Sequence, residues 1–147
     1  MTIRDHGDMS QYFQVGDLVL WNPSNRVAAL FVRTSEAVTA LVGVPTGIRP
    51  TRADEYDIEL DAFVGFVDAL VVQYKSSSHA ILRSLLEGFI ATALVLVDRA
   101  GRDVPSLRDT ATLDPRDVSV GSEGIRPLGD PQRLYELADA HAAAMPR

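Results

Sequence analysis

The sequence contains no cysteine, and this absence removes several classes of protein. Without thiols there can be no disulfide framework, no thiolate zinc site and no cysteine nucleophile. The first residues also lack the apolar core of a secretory signal. From these two absences we expect a cytoplasmic protein.

Basic charge is scarce as well. Lysine and arginine together number 14 against 20 acidic residues, which gives a net charge of −6, and Lys75 is the single lysine. Because phosphate neutralisation supplies much of the affinity for nucleic acid, we expect no nucleic-acid partner. At 147 residues the chain is long enough to bury a core as one domain.

Motifs for the common chemistries are also missing. Residues 43–47 contain two glycines but neither the spacing nor the lysine of a phosphate loop. No serine lies in a nucleophile-elbow motif. We therefore expect no cofactor, and the sequence leaves open whether the protein is an enzyme.

The most regular pattern lies in residues 79–100, which we expect to form the central helix. Apolar side chains recur there at three- and four-residue steps: Leu82, Leu85, Leu86, Phe89, Ile90, Ala93, Leu96 and Val97. Residues 88–97 are apolar on every side apart from Thr92, which is typical of a helix covered all round. The serines at 76–78 are candidate N-caps, and Gly101 is the candidate closing residue.

A membrane span is the competing interpretation of this helix. Its run without a charge is only about ten residues, whereas a span needs roughly 20. Extending the run brings in Arg83 and Glu87, which are unfavourable at mid-membrane. We therefore expect a buried core helix and no membrane partner.

The remaining segments predict short strands and further helices. Residues 12–21 indicate two strand pieces around Gly16 and Asp17, and residues 56–60 indicate a third. Helices are expected from Asn22 or Ser24 to residue 42, after an Asp61 cap, and after Asp130. Residues 45–52 indicate a turn-rich connector, and residues 118–120 one candidate strand.

These elements predict an α-dominated α+β fold. A central buried helix would be packed by two or three helices, with a small two- or three-stranded sheet. Residues 1–10 would form a flexible N-terminus and residues 11–101 the core domain. Residues 102–147 would form an irregular arm that ends in a helix.

Three residues of the central helix could form a polar site. His79, Arg83 and Glu87 follow one another at four-residue steps and so share one helix face. Arg83 could hold an anionic group while His79 or Glu87 exchanges a proton. The structural alternative, which we favour, is an Arg83–Glu87 ion pair beside a hydrated His79. Because Glu87 borders the most apolar part of the chain, it needs partners or a shifted pKa.

Other candidate ligand residues lie elsewhere in the chain. Asp54, Glu55 and Tyr56 open the acidic segment 54–61, whose five carboxylates could collect a cation. This segment lacks the spacing of a calcium loop, and a hydrated strand followed by a helix N-terminus also explains it, so we expect no metal ion. Trp21 and Asn22 could line a small-molecule pocket, although a helix entrance explains them equally.

Three runs of the sequence resemble one uncharacterised domain family of high-GC Gram-positive bacteria. The runs are LWNPSNRVAALF, PTGIRPTRADEYDIEL and SSSHAILRSLLEGFIATALVLVDRAG. The resemblance covers residues 11–101. It implies a self-contained domain in which the three runs belong together, and it transfers no catalytic residue.

Three functional hypotheses follow. The first is a non-catalytic interaction module that binds a second copy of itself or another protein. The second is a small-molecule-binding protein or cofactor-independent enzyme. Its catalytic residues would be His79, Glu87 and Asp54, and its ligand-binding residues Arg83, Tyr56, Glu55, Trp21 and Asn22. A third hypothesis is cation binding by the acidic segment.

Overall fold

The structure, a computed structural model, describes residues 10–52, 54–109 and 128–147. Within these ranges four helices pack with one four-stranded sheet. The elements are β1 (Tyr12–Val15), β2 (Leu18–Trp21), α1 (Asn25–Val42), β3 (Ile48–Arg52), β4 (Glu55–Ile58), α2 (Leu60–Ser76), α3 (Ala80–Arg99), a 3₁₀ turn (Pro105–Leu107) and α4 (Pro131–Ala142). The α-dominated α+β class is confirmed, but the sheet has four strands rather than two or three.

The sheet consists of two hairpins joined through their inner strands. Its order is β2-β1-β4-β3, and the central pair, β1 and β4, is parallel. The first hairpin turns at Gly16, whose φ of 57° suits a residue without a side chain. The turn predicted at Gly16 and Asp17 is therefore confirmed.

The prediction of a connector at residues 45–52 was wrong. Residues Ile48–Arg52 form β3, which pairs with β4 at one edge of the sheet. Pro50 has no N–H to donate, and an edge strand tolerates it because one side of the strand needs no partner. Gly47 precedes this strand with a φ of 75°, and a Cβ there would lie 2.7 Å from the backbone oxygen of Glu59.

Two predicted helix starts are confirmed. Ser24 caps α1, where its Oγ accepts a bond of 3.4 Å from the Val27 amide, so this alternative holds rather than Asn22. Asp130 caps α4, where its Oδ1 accepts a bond of 2.9 Å from the Gln132 amide.

Two other predicted caps were wrong. The helix α2 begins two residues earlier than an Asp61 cap would allow, because Oε2 of Glu59 accepts from the Ala62 amide at 2.8 Å. The cap of α3 is His79 rather than a serine, since Oγ of Ser77 instead accepts from the His79 amide at 3.0 Å.

The covered part of α3 lies in its second half, as predicted. Every residue from Phe89 to Val97 is buried except the half-buried Thr92. In the first half Ile81 and Leu85 are exposed, so Leu85 does not belong to the inner stripe. By length and composition α3 could cross a membrane, but half of its most apolar window is buried inside the fold, and core helices pass the same test.

A chain of aromatic rings connects the sheet to α1 and α3. The Phe13 ring stacks on Tyr56 at 4.9 Å and on Trp21 at 5.3 Å between ring centroids. Phe31 of α1 meets Phe13 edge-on at 5.4 Å and stacks on Phe89 of α3 at 4.9 Å. These contacts place the core between the sheet and the helices.

The C-terminal helix packs on α3 of its own chain. Leu134 of α4 is fully buried in the core. The Arg99 guanidinium at the end of α3 donates to backbone oxygens of Leu20 at 2.8 Å, Met145 at 2.8 Å and Ala142 at 3.2 Å. The candidate strand at residues 118–120 lies outside the described residues.

Candidate functional site

The Glu87 carboxylate contacts two neighbouring helices. The Tyr74 hydroxyl of α2 donates a hydrogen bond to Oε2 of Glu87 at 3.2 Å. Arg133 of α4 donates from Nη2 to Oε1 at 3.1 Å and from Nε to Oε2 at 3.5 Å, a two-pronged contact that gives direction as well as charge. Only 22% of the Glu87 side chain is exposed, so one carboxylate links α2, α3 and α4.

The sequence predicted that the Glu87 carboxylate would need partners. Its place at the border of the apolar stretch predicted that it would not be left unpaired, and this is confirmed. No contact between Tyr74 and Glu87 was predicted from the sequence. Arg133 was missed, because its position in the last helix carries no local signal for a contact with the central one.

The surroundings of Tyr74 change its acidity. Burial raises the pKa of Tyr74 to about 12, and the negative charge of Glu87 and the hydrogen bond to it act in the same direction. The positive charges of Arg83 and Arg133 oppose this rise. The bond to Glu87 also raises the pKa of Arg133. Tyr74 is therefore a hydrogen-bond donor at neutral pH and not a base.

A cavity of about 380 Å³ lies beside this carboxylate, and we call it the Glu87 cavity. It is lined by the first turns of α3, the start of α4 and one residue of α2. The lining residues are Tyr74, Ala80, Arg83, Ser84, Glu87, Leu128, Asp130 and Arg133. Charges of both signs and two hydroxyls face this space beside the apolar Ala80 and Leu128, so it suits a small polar molecule.

Of the three residues predicted to share one face of the central helix, only two line the cavity. Arg83 and Glu87 both line it, and Nη1 of Arg83 donates to the backbone oxygen of Ser77 at 2.9 Å. His79 is exposed, and its Nδ1 accepts from the Leu82 amide at 3.3 Å, so this nitrogen serves the N-terminus of α3. The structure therefore brings Arg83 and Glu87 to one cavity without His79.

The acidic segment is positioned by the sheet. The backbone oxygen of Asp54 accepts from the Tyr12 amide at 2.8 Å, and Glu55 and Tyr56 pair with β1. None of the three lines the Glu87 cavity. Among the described residues there is also no group of three or more histidine or carboxylate side chains that could hold a metal ion.

Comparison with known protein families assigns the chain to one of them. The model of a family of unknown function, DUF6086, matches residues 9–147. The chain belongs to this family. The match extends beyond residues 11–101, where a resemblance was expected, and takes in α4. No curated protein and no solved structure matches the chain significantly.

The remaining candidate ligand-binding residues of this DUF6086 domain, Trp21 and Asn22, lie at the end of β2. The Trp21 ring is buried against Phe13 and meets Phe31 edge-on at 5.3 Å. The Asn22 amide donates to the backbone oxygen of Pro146 at 2.8 Å. Trp21 thus belongs to the core and Asn22 contacts the C-terminal segment, and neither residue lines the Glu87 cavity.

Proposed function

We propose that this DUF6086 protein is a non-catalytic interaction module that forms a homodimer through apolar side chains of α1 and α3. Leu85 of α3 is 74% exposed and Leu30 of α1 is 69% exposed. Each lies within one helical turn of the point where Phe31 stacks on Phe89. Two large apolar side chains thus remain exposed near a contact between two core helices, and this observation carries the proposal.

Two further exposed apolar side chains lie on the same two helices. Ile81 precedes Leu85 by one turn on the same side of α3, and Val27 precedes Phe31 by one turn on α1. We call Val27, Leu30, Ile81 and Leu85 the α1–α3 patch. A stable interface buries about 800 Å² on each partner, so a dimer would cover the patch together with its polar surroundings.

The C-terminal helix is left out of the proposed interface. Its arginine contacts Glu87, and its C-terminal carbonyl groups accept from Arg99 of the same chain. An arm held in this way does not need a neighbour to bury its apolar side. The exposed part of α3 is therefore the better candidate surface for a second copy.

The test is the mass of the protein in solution. The monomer has a mass of 16.0 kDa, and we expect light scattering to give twice that value for the wild type. Leu85→Glu should convert the protein to a monomer, because a charge would have to be buried in the dimer. The matched control is Val72→Glu on α2, where the side chain is 46% exposed and lies outside the patch, and it should leave the dimer intact.

Two results would overturn the homodimer. One is a wild-type protein that stays monomeric at the highest concentration reached. The other is a wild-type protein that sediments with anionic lipid vesicles while Leu85→Glu does not, since the patch would then bind a membrane.

A second function is favoured by the Glu87 cavity. We propose, as the alternative, a small-molecule-binding protein or cofactor-independent enzyme in which Arg83 holds the charged group of a ligand. The support is the convergence of Arg83, Glu87, Tyr74 and Ser84 on one space of about 380 Å³. A panel of small polar metabolites tests it by thermal shift. At least one should raise the midpoint of unfolding, and a panel without any effect would contradict it.

Further proposals concern where this protein works. We propose a cytoplasmic protein, with relatives in high-GC Gram-positive bacteria and without nucleic-acid or membrane partners. The net charge of −6 and the lack of cysteine support this. Cell fractionation and a DNA-binding assay at low salt test it, and protein in the membrane fraction or retained on DNA would contradict it.

A further inference from the structure

We infer that the Glu87 cavity binds a small zwitterion with one carboxylate and one ammonium group, such as an α-amino acid. This inference rests on the second proposed function and names its ligand class. The observation that carries it is the pairing of opposite charges around one space, two guanidinium groups and two carboxylates.

The carboxylate of the ligand would lie toward Arg83 and the start of α3. Arg83, Ala80 and Ser84 belong to the first turns of α3, a helix of 20 residues. Asp130 also lines this cavity, and its carboxylate already accepts from the Gln132 amide, so the start of α4 does not attract an anion. The N-terminal end of α3 adds partial positive charge to that of the Arg83 guanidinium, and together they favour an anionic group.

The ammonium group would lie toward Glu87. A carboxylate offers about four acceptor positions, and Tyr74 and Arg133 donate three bonds to the two Glu87 oxygens. Oε1 receives only one of these bonds, from Arg133. An ammonium donor can therefore approach Oε1 without displacing the arginine.

A ligand with a single kind of charge fits this cavity less well. Inorganic phosphate would bring negative charge against Glu87 and Asp130, and a simple amine would bring positive charge against Arg83 and Arg133. A zwitterion meets both signs and leaves the charge balance of the site unchanged. The volume of about 380 Å³ equals about a dozen water molecules, enough for a small amino acid.

The alternative is that the Glu87–Arg133 pair only fastens α4 to the core. Calorimetry distinguishes the two with a panel of the common L-amino acids, plus propionate, propylamine and inorganic phosphate as single-charge probes. We expect at least one amino acid to bind with a Kd of about 1 mM or tighter. Propionate, propylamine and phosphate should bind at least about tenfold more weakly.

Two variants locate the binding. Ser84→Trp places a large side chain at the exposed wall of the cavity and should abolish binding while α4 stays docked. Arg83→Gln should weaken binding of the amino acid at least about tenfold. Arg26→Gln removes an exposed arginine of α1 that does not line the cavity, and it should have no effect.

The outcomes distinguish a wrong ligand class from a wrong proposed function. Propionate, propylamine or phosphate binding as tightly as the best amino acid overturns the zwitterion while leaving a small-molecule site. Binding that survives Ser84→Trp overturns the location. If no member of the calorimetric panel binds, the zwitterion is wrong, and the wider thermal-shift panel then decides whether any small-molecule function remains.

Discussion

The Tyr74 hydroxyl donates to the Glu87 carboxylate over 3.2 Å, and this bond joins α2 to α3 where Arg133 of α4 reaches the same carboxylate. The three side chains come from three different helices and depend on one another. If Glu87 lost its charge, Arg133 would lose its ionic partner and Tyr74 its acceptor. The cluster is therefore a local reporter of whether α4 is docked.

The titration of Tyr74 should make stability depend on pH in the alkaline range. Its pKa is raised from 10.0 to about 12 in the folded protein, so the folded state prefers the protonated hydroxyl. The contribution is fully present below pH 10 and is lost as pH rises through 12. The free energy of unfolding of the wild type, measured with urea, should therefore fall relative to Tyr74→Phe by up to about 2–3 kcal/mol across that range.

A second variant checks the cause of this shift. Glu87→Gln removes the charge and weakens the bond, but burial, the largest cause, remains. The pKa of Tyr74 should therefore fall and yet stay above 10.0, as followed by tyrosinate absorbance. If the free energy of unfolding of the wild type and that of Tyr74→Phe changed equally with pH, the raised pKa of Tyr74 would be contradicted.

Gly129→Ala should loosen the start of α4. A Cβ at this position would lie 2.1 Å from the backbone oxygen of Tyr74, which cannot move without displacing α2. We expect a loss of about 1–3 kcal/mol in the free energy of unfolding, measured with urea. The matched control is Gly65→Ala in α2, which meets nothing within 4 Å and should instead stabilise by up to about 1 kcal/mol. Equal effects of the two substitutions would contradict the close approach at Gly129.

Apolar periodicity predicted the helices well because it reports how each helix faces the core. Ser24 and Asp130 were recognisable as caps because capping depends on the next two or three residues. The strand β3 was missed because Pro50 argues against a strand unless that strand lies at an edge. The position of a strand at the edge depends on the order of all strands in the sheet, so residues 48–52 alone do not predict it.

The candidate site could be predicted only in part for a similar reason. Arg83 and Glu87 were found together because a four-residue step fixes them on one helix face. Arg133 lies 46 residues from Glu87, so their contact depends on how α4 docks. Tyr56 and Trp21 were grouped with the site by residue type, but both belong to the aromatic core around Phe13.

Arg99→Met should release the C-terminal segment. The guanidinium donates to three backbone oxygens, two of them at the end of α4 and beyond it. Methionine fills similar space but leaves these oxygens without their donor, and we expect a loss of at least about 2 kcal/mol. Hydrogen exchange should show faster exchange in α4. The control is the exposed Arg26→Met, which should change neither quantity, and a similar loss in that variant would contradict the role of Arg99.

Lys75 should react slowly with acylating reagents, although lysines usually react readily. It is 4% exposed, and its ammonium group donates to the backbone oxygens of Ser106 and Asp109. Reaction requires a free amine in contact with solvent, so the segment after α3 must first detach from α2. Because Lys75 is the only lysine, mass spectrometry of the peptide that contains it measures this opening directly. The rate should be at least about tenfold lower than in urea-unfolded protein, since only the open fraction reacts. Equal rates would show that the ammonium group is not held by these oxygens in solution.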